Sequence, residues 1–245
     1  MRTIPCISFF LLLLFQAHGQ GKNPELVIRT LAKDCYIYTT YKDIDGYRFP
    51  SNSMYVVTEN GIVMIDTPWD ETQFQPLLDS IASKHKKEVV LCIATHFHDD
   101  RTAGLEFLKQ KGIPTYTSEL SNRLGKKNRE KEAAFHFAKD TTFVVGKRKF
   151  ETFYPGEGHT KDNIVIWIDD QKILYGGCLV KSTENKSLGN IADANLNDWA
   201  VTIKKVMKKF PAPEFVIPGH FGWSDKKSLK HTLKLLRQYK KSSTE

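Results

Sequence analysis

The sequence predicts an α/β fold in one domain, with mixed sheets inside and helices outside. Three observations lead there. Apolar strand-like runs alternate with stretches of helical periodicity along the chain. No linker rich in Pro, Gly or Ser divides it, although both halves run from a β-rich part to a helical part. And 245 residues, 40% hydrophobic and 26% charged, suffice for one sizeable soluble core.

The N-terminus reads as a separate object. Arg2 supplies a short positive region, and Ile7 to Phe15 is an apolar run of signal-peptide length. That run falls short of the ~20 residues a membrane span needs. Ala17-His18-Gly19 is a small-x-small cleavage motif. Residues 1–19 are therefore expected to be a signal peptide and residues 20–245 a single domain, exported to the periplasm with no membrane span after processing.

In the mature chain, Leu26–Leu31, Cys35–Tyr41, Met54–Glu59 and Gly61–Ile65 read as strands, with Asn60-Gly61 as a hairpin turn. Phe74, Leu77, Leu78 and Ile81 recur at helical spacing. Val89–Ala94 is a buried strand, followed by a helix through Leu105 and Leu108 that Gly112-Ile113-Pro114 closes.

After the polar stretch Gly125–Glu132 come strands at Thr142–Val145, Phe150–Tyr154, Ile164–Ile168 and Lys172–Tyr175. Asn197 is expected to cap a helix whose inner face is Trp199, Ile203, Val206 and Phe210. Phe215–Ile217 is a further strand, and a last helix buries Leu229, Leu233 and Leu236.

The net charge is +8. Most of the excess lies in Lys204–Lys209 and Lys226–Lys241, on the polar faces of two amphipathic helices. A solvated face explains this better than a nucleic-acid site, so no nucleic-acid partner is expected. With the signal removed, three cysteines remain, and exported cysteines usually pair. An odd count leaves one with another task. Cys35 and Cys92 sit in apolar runs and read as buried thiols.

Chemistry concentrates in six polar residues at strand ends: His96, His98, Asp100, His159, Cys178 and His220. All but Asp100 follow an apolar run or a glycine turn, a pattern that presents side chains from several loops to one cleft. Three histidines leave one tetrahedral zinc position open for water, as a catalytic site requires. His96, His98 and His159 are assigned to that site, and Asp100, Cys178 and His220 to a second one offering oxygen, sulfur and nitrogen. His85, His136 and His231 are taken as ordinary surface or core residues.

The stretch Thr95-His96-Phe97-His98-Asp99-Asp100-Arg101 resembles the His-x-His-x-Asp signature of the metallo-β-lactamase superfamily. The likeness continues through Tyr154-Pro155-Gly156-Glu157-Gly158-His159-Thr160, Gly176-Gly177-Cys178-Leu179-Val180-Lys181 and Pro218-Gly219-His220. These are similar to the zinc β-lactamases of the first subclass. The resemblance implies a four-layer αββα sandwich with two zinc ions at one edge of the β-sandwich, on the two ligand sets just given. It implies hydrolysis of penicillins, cephalosporins and carbapenems by a metal-bound hydroxide, and so antibiotic resistance. Lys181 would bind the substrate carboxylate, and Asn190 would polarise the lactam carbonyl. Asp100, counted with these among the catalytic residues, suits a ligand better than a base. The resemblance also implies that Asp43–Phe49 is a mobile flap over the cleft, with Ile44, Tyr47 and Phe49 offering apolar contact. Asp66 would orient a ligand from behind. A monomer is expected.

Two residues depart from the pattern: Phe221 stands after His220 where glycine is common, and Phe97 is bulky between two ligands. Both bear on substrate preference. Thioesterases, lactonases and phosphodiesterases of the superfamily usually carry histidine at the place of Arg101 and aspartate at the place of Cys178, which disfavours them here. A non-catalytic zinc protein is disfavoured because structural zinc sites are closed.

Overall fold

The computed structural model describes residues 26–243. The signal-peptide expectation for residues 1–19 lies outside them. Strands β1 (Val27–Ala32), β2 (Cys35–Ile44), β3 (Tyr47–Thr58) and β4 (Gly61–Ile65) form an antiparallel meander. The β3–β4 turn falls at Asn60-Gly61, where Gly61 takes φ +129. Helix α1 (Phe74–His85) leads to β5 (Val89–Ile93), which joins β4 in parallel. The short helices α2 (Asp99–Thr102) and α3 (Leu105–Gln110) precede β6 (Thr115–Ser118). Helix α4 (Glu119–Asn128) and β7 (Phe135–Phe137) complete the first half, a seven-stranded mixed sheet in order β1 to β7.

The second sheet has order β12-β11-β10-β9-β8. It contains β8 (Thr142–Val145), β9 (Arg148–Phe153), β10 (Val165–Ile168), β11 (Ile173–Gly177) and, beyond helix α5 (Trp199–Lys209), β12 (Phe215–Pro218). Helix α6 (Ser228–Ser242) closes the described chain. Strands β8 to β11 are antiparallel, and β11 pairs with β12 in parallel.

Three apolar clusters fix four layers. Ile37, Met54, Val63, Ile93, Ile166 and Ile217 interdigitate between the sheets. Tyr38, Tyr55, Met64, Leu77, Ile81 and Leu105 join the far face of the first sheet to its helices. Val165, Leu174, Trp199, Ile203, Val206 and Leu235 do the same for the second. The alternation along β2, with Cys35 and Ile37 on one face and Tyr38 on the other, is the period-two signature of a strand covered on both sides. The architecture is an αββα sandwich.

Several expectations are revised. The flap strand β3 starts at Tyr47, seven residues before the predicted Met54. The polar stretch Gly125–Glu132 begins inside α4, whose N-cap Ser118 accepts from Ser121 N at 3.0 Å. Asn197 does not cap α5: Asp198 occupies the N-cap, and Asn195 Oδ1 accepts from the backbone N–H groups of both Asn197 and Asp198 at 3.2 Å. Leu235 joins Leu229 and Leu236 in the α6 core, while Leu233 is only partly buried.

Candidate metal centre

All six candidate ligands converge at one edge of the sandwich, on the loops that leave β5, β9, β11 and β12. The path out of β5 is fixed by Asp66 at the end of β4. Its carboxylate accepts from Thr95 N at 2.7 Å and Thr95 Oγ1 at 2.9 Å, so it sets the residue before His96 rather than a ligand itself. Asp100 stands in the single turn of α2 and is held by Arg101, whose Nε and Nη2 donate at 2.9 and 2.7 Å. Burial alone would raise the Asp100 carboxyl; the Arg101 guanidinium beside it holds it well below the usual range.

Arg101 is fully buried. It also donates to Asn52 O at 2.6 Å, Ser51 Oγ at 2.9 Å, Gly219 O at 2.9 Å and Tyr175 Oη at 3.1 Å. One planar cation thereby ties together β3, the α2 turn, β11 and the loop after β12. That loop passes very close to Cys178: a Cβ on Gly219 would lie 2.6 Å from the Cys178 sulfur, so only glycine fits. His220 Nδ1 bonds Pro50 O at 2.7 Å, which selects the tautomer with a free Nε2. That nitrogen lies 3.2 Å from Asp100 Oδ2 and 3.3 Å from Cys178 Sγ, and Cys178 Sγ is 3.2 Å from Asp100 Oδ2.

The second group is nitrogen only. His96 Nε2 faces His98 Nδ1 at 3.3 Å, and ligand atoms of His96, His98 and His159 all lie within 4.8 Å of one another. Those of His96, Asp100 and Cys178 do too, so the two groups adjoin. His98 Nε2 is taken by Asp193 Oδ2 at 3.0 Å, leaving Nδ1 toward the group. Nothing in the spacing of the sequence points to Asp193, because it reaches His98 from a loop 95 residues away.

The donors fit a divalent cation. Burial lowers the pKa of His96, His159 and His220, keeping the rings neutral with lone pairs available. His159 Nδ1 is buried without a hydrogen-bond partner. Burial also raises the Cys178 thiol, a cost that a coordinated cation removes by stabilising the thiolate. Imidazole, thiolate and carboxylate together are a zinc-like donor set.

Residues 46–220 match the profile of the Metallo-beta-lactamase superfamily. The chain belongs to this superfamily. It is 40% identical over 223 residues to the "Metallo-beta-lactamase type 2" of Elizabethkingia meningoseptica, covering 91% of this chain and 89% of that protein. It is 37% identical to "Metallo-beta-lactamase IND-1" of Chryseobacterium indologenes, covering 95% and 98%. Among solved structures, the metallo-β-lactamase from Pontibacter korlensis superposes with TM-score 0.84 at 40% identity, covering 87% of this chain and 99% of that one. Membership in the superfamily implies a divalent metal cofactor, and the donor groups just described are its candidate site.

The cleft beside these donor groups has a volume of about 580 Å³. His98, Asp100, His159 and His220 line it, with Ile44, Phe49, Trp69, Phe97 and Phe221 as apolar surface and Lys181, Asn185 and Asn190 as polar surface. The β2–β3 hairpin thus lies beside the cleft as a flap. Asn190 Oδ1 accepts from Ala192 N at 3.1 Å, which leaves its Nδ2 as a donor. Lys181 is buried, its Nζ 5.3 Å from the centre of the Trp199 ring. Phe97 is buried too, its backbone N donating to Asp162 Oδ2 at 2.9 Å. Phe221 has φ +62, a left-handed conformation that costs a non-glycine residue about 1–3 kcal/mol.

Among the other histidines, His85 bonds Tyr55 Oη at 3.0 Å and His231 bonds Asn185 O at 2.8 Å, while His136 is exposed in β7. Cys35 is a buried thiol pushed up to about 11 by burial, and Cys92 is buried likewise.

Proposed function

We propose that this hydrolase opens the β-lactam amide bond of penicillins, cephalosporins and carbapenems, with two zinc ions held by His96, His98 and His159 and by Asp100, Cys178 and His220. Lys181 carries this reading. A buried ammonium with no carboxylate in ion-pair reach among the described residues is a binding site for an anion. Those three antibiotic classes all place a carboxylate beside the ring nitrogen.

When bound, the zinc pair supplies Lewis acidity, polarising the carbonyl and bringing deprotonation of water toward neutral pH. The protein's own groups do the rest. Lys181 fixes the substrate carboxylate, and Asn190 Nδ2 donates to the lactam carbonyl as charge develops there. Asp100, held ionised by Arg101, serves as a ligand, since so weak a base takes no proton near neutral pH. Asp193 and Pro50 set the His98 and His220 rings. The reading includes export to the periplasm after cleavage before Gln20, and action as a monomer.

Nitrocefin and imipenem assays with and without a chelator, joined to elemental analysis, test the proposal. Both substrates are expected to be cleaved, chelation to stop the reaction, and zinc to saturate at about two ions per chain. Saturation at one ion removes the di-zinc claim. Imipenem left intact beside cleaved nitrocefin removes the claimed breadth. Cleavage of neither returns the lactonase and thioesterase readings.

A further inference from the structure

Phe221 combines an unfavourable backbone with a defined place in the cleft. Its φ of +62 suits glycine, yet the residue carries a large ring. Asn52 holds this backbone in place. Asn52 Nδ2 donates to Phe221 O at 2.7 Å and to Pro218 O at 3.1 Å, and Asn52 N donates to Gly219 O at 2.8 Å. Asn52 Oδ1 in turn accepts from Thr39 Oγ1 at 3.0 Å. With the carbonyls of residues 218, 219 and 221 all bound to one side chain and its backbone, the direction of the Phe221 Cα–Cβ bond is fixed.

The ring so placed meets the flap. Its centroid is 5.1 Å from that of Phe49, at 71°, an edge-to-face pair. Phe49 makes further edge contacts with His220 at 5.2 Å and Trp69 at 6.3 Å. Phe221, Phe49 and Trp69 thus form one continuous aromatic surface beside the proposed ligand His220, and all three line the cleft. Lys181 and Asn190 line the same cleft and offer an ammonium and an amide. A ligand that satisfies both surfaces has an anionic group and an aryl or other flat apolar group.

We propose that Phe221 is a specificity-determining residue: with Phe49 it forms a wall that receives an aryl substituent on the substrate acyl chain. The identity of the ligand rests on the β-lactam reading above; the aromatic wall rests on the geometry alone. The strained backbone is maintained by Asn52, and it places a ring where glycine would leave the cleft open.

The test compares benzylpenicillin with 6-aminopenicillanic acid, which lacks the aryl acyl chain. Zinc-loaded wild type, Phe221→Gly and Phe49→Leu are assayed for kcat/KM and zinc content. In parallel, calorimetric titration measures binding of the two ring-opened penicilloic acids, which needs no catalysis. Wild type is expected to favour the aryl member of each pair by about five- to tenfold, the scale of one aromatic contact plus its burial. Phe221→Gly, whose backbone accepts positive φ without strain, should lose most of that preference while holding the same zinc. Phe49→Leu should lose part of it with the Phe221 backbone untouched.

Equal losses on both ligands, or an unchanged preference in Phe221→Gly, overturn the proposal. If wild type cleaves neither penicillin, the β-lactam reading falls and the titration still decides. An aryl preference that vanishes in Phe221→Gly upholds the wall for an aryl carboxylate, and no preference in wild type removes it.

Discussion

Two single residues have larger roles than their residue types announce. Lys181 is an ammonium that burial destabilises, so its pKa is lowered, and the proposed substrate carboxylate is the partner that would restore it. Lys181→Ala is expected to lower kcat/KM by the equivalent of about 1–3 kcal/mol on penicillins, cephalosporins and carbapenems alike, with zinc content unchanged. Steady-state kinetics on one compound of each class measure this, and a loss confined to one class contradicts the carboxylate role. Arg101 works the other way, as a positioning residue. It neutralises Asp100 and Asp66 and donates to one carbonyl on β3 and one on the loop after β12. Lysine cannot reproduce that planar fork. Arg101→Ala leaves two buried carboxylates without a cation, so it should cost about 3–5 kcal/mol of stability and empty the Asp100 site first. Urea unfolding of the metal-stripped protein, with zinc counted separately on the loaded one, checks both halves. A variant as stable as wild type would show that the two carboxylates find another partner.

At the scale of elements, what was legible in the sequence follows from where each signal resides. Strands covered on both faces, such as Gly61–Ile65 and Val89–Ile93, are short apolar runs bounded by turn residues, and their ends were read to within a residue. The β6, α4 and β7 stretch was missed because it is polar: Glu119–Asn128 contains two apolar residues, so its helical face gives little periodicity. The ligand set was legible because glycine turns and strand ends fall in sequence beside the ligands. Asp193, Trp69 and the Asn52 clamp were not, since each acts across a gap in sequence that only folding closes. The α5 cap has the same cause. Asn195 accepts from two amides at the helix start and donates to Glu157 Oε2 at 2.8 Å, while its backbone N bonds Gly158 O at 2.8 Å. It therefore anchors the His159 loop as well as α5. Asn195→Ala should cost about 1–2 kcal/mol, or roughly 2–8 °C in Tm, whereas Asn197→Ala should move Tm by at most ~1–2 °C. Thermal denaturation of both variants decides between the two asparagines, and a larger shift in Asn197→Ala than in Asn195→Ala would overturn the role given to Asn195.

For the whole molecule, the two sheets bring four separate segments to one edge, and the cost is a cluster of buried basic nitrogens. Burial lowers the pKa of His96, His159 and His220 below the value near ~6.5 that they have in the unfolded chain. Between that value and the lowered ones, the unfolded state binds more protons than the folded state. The contribution of these three histidines to the stability of the metal-stripped protein therefore falls as pH falls through this window and stays nearly level above it. Each histidine contributes a slope of at most ~1.4 kcal/mol per pH unit, so three together reach about 4 kcal/mol per unit. Among the carboxyls around the site, burial raises Asp66, Asp162 and Glu130, which gain protons in the folded state as pH falls and so offset part of this slope; Asp100 lies the other way. Asp100 has its folded pKa held below the ordinary carboxylate range, so its stabilisation is complete above about pH 5 and is lost only at lower pH. Urea unfolding of metal-free protein from pH 7.5 to 5.5 is expected to show the decline, and His159→Gln to remove about one proton's share of the slope. A slope that His159→Gln leaves unchanged across that range would mean that this ring takes up its proton in the folded state as readily as in water, and the buried, neutral donor set argued for the metal centre would not hold.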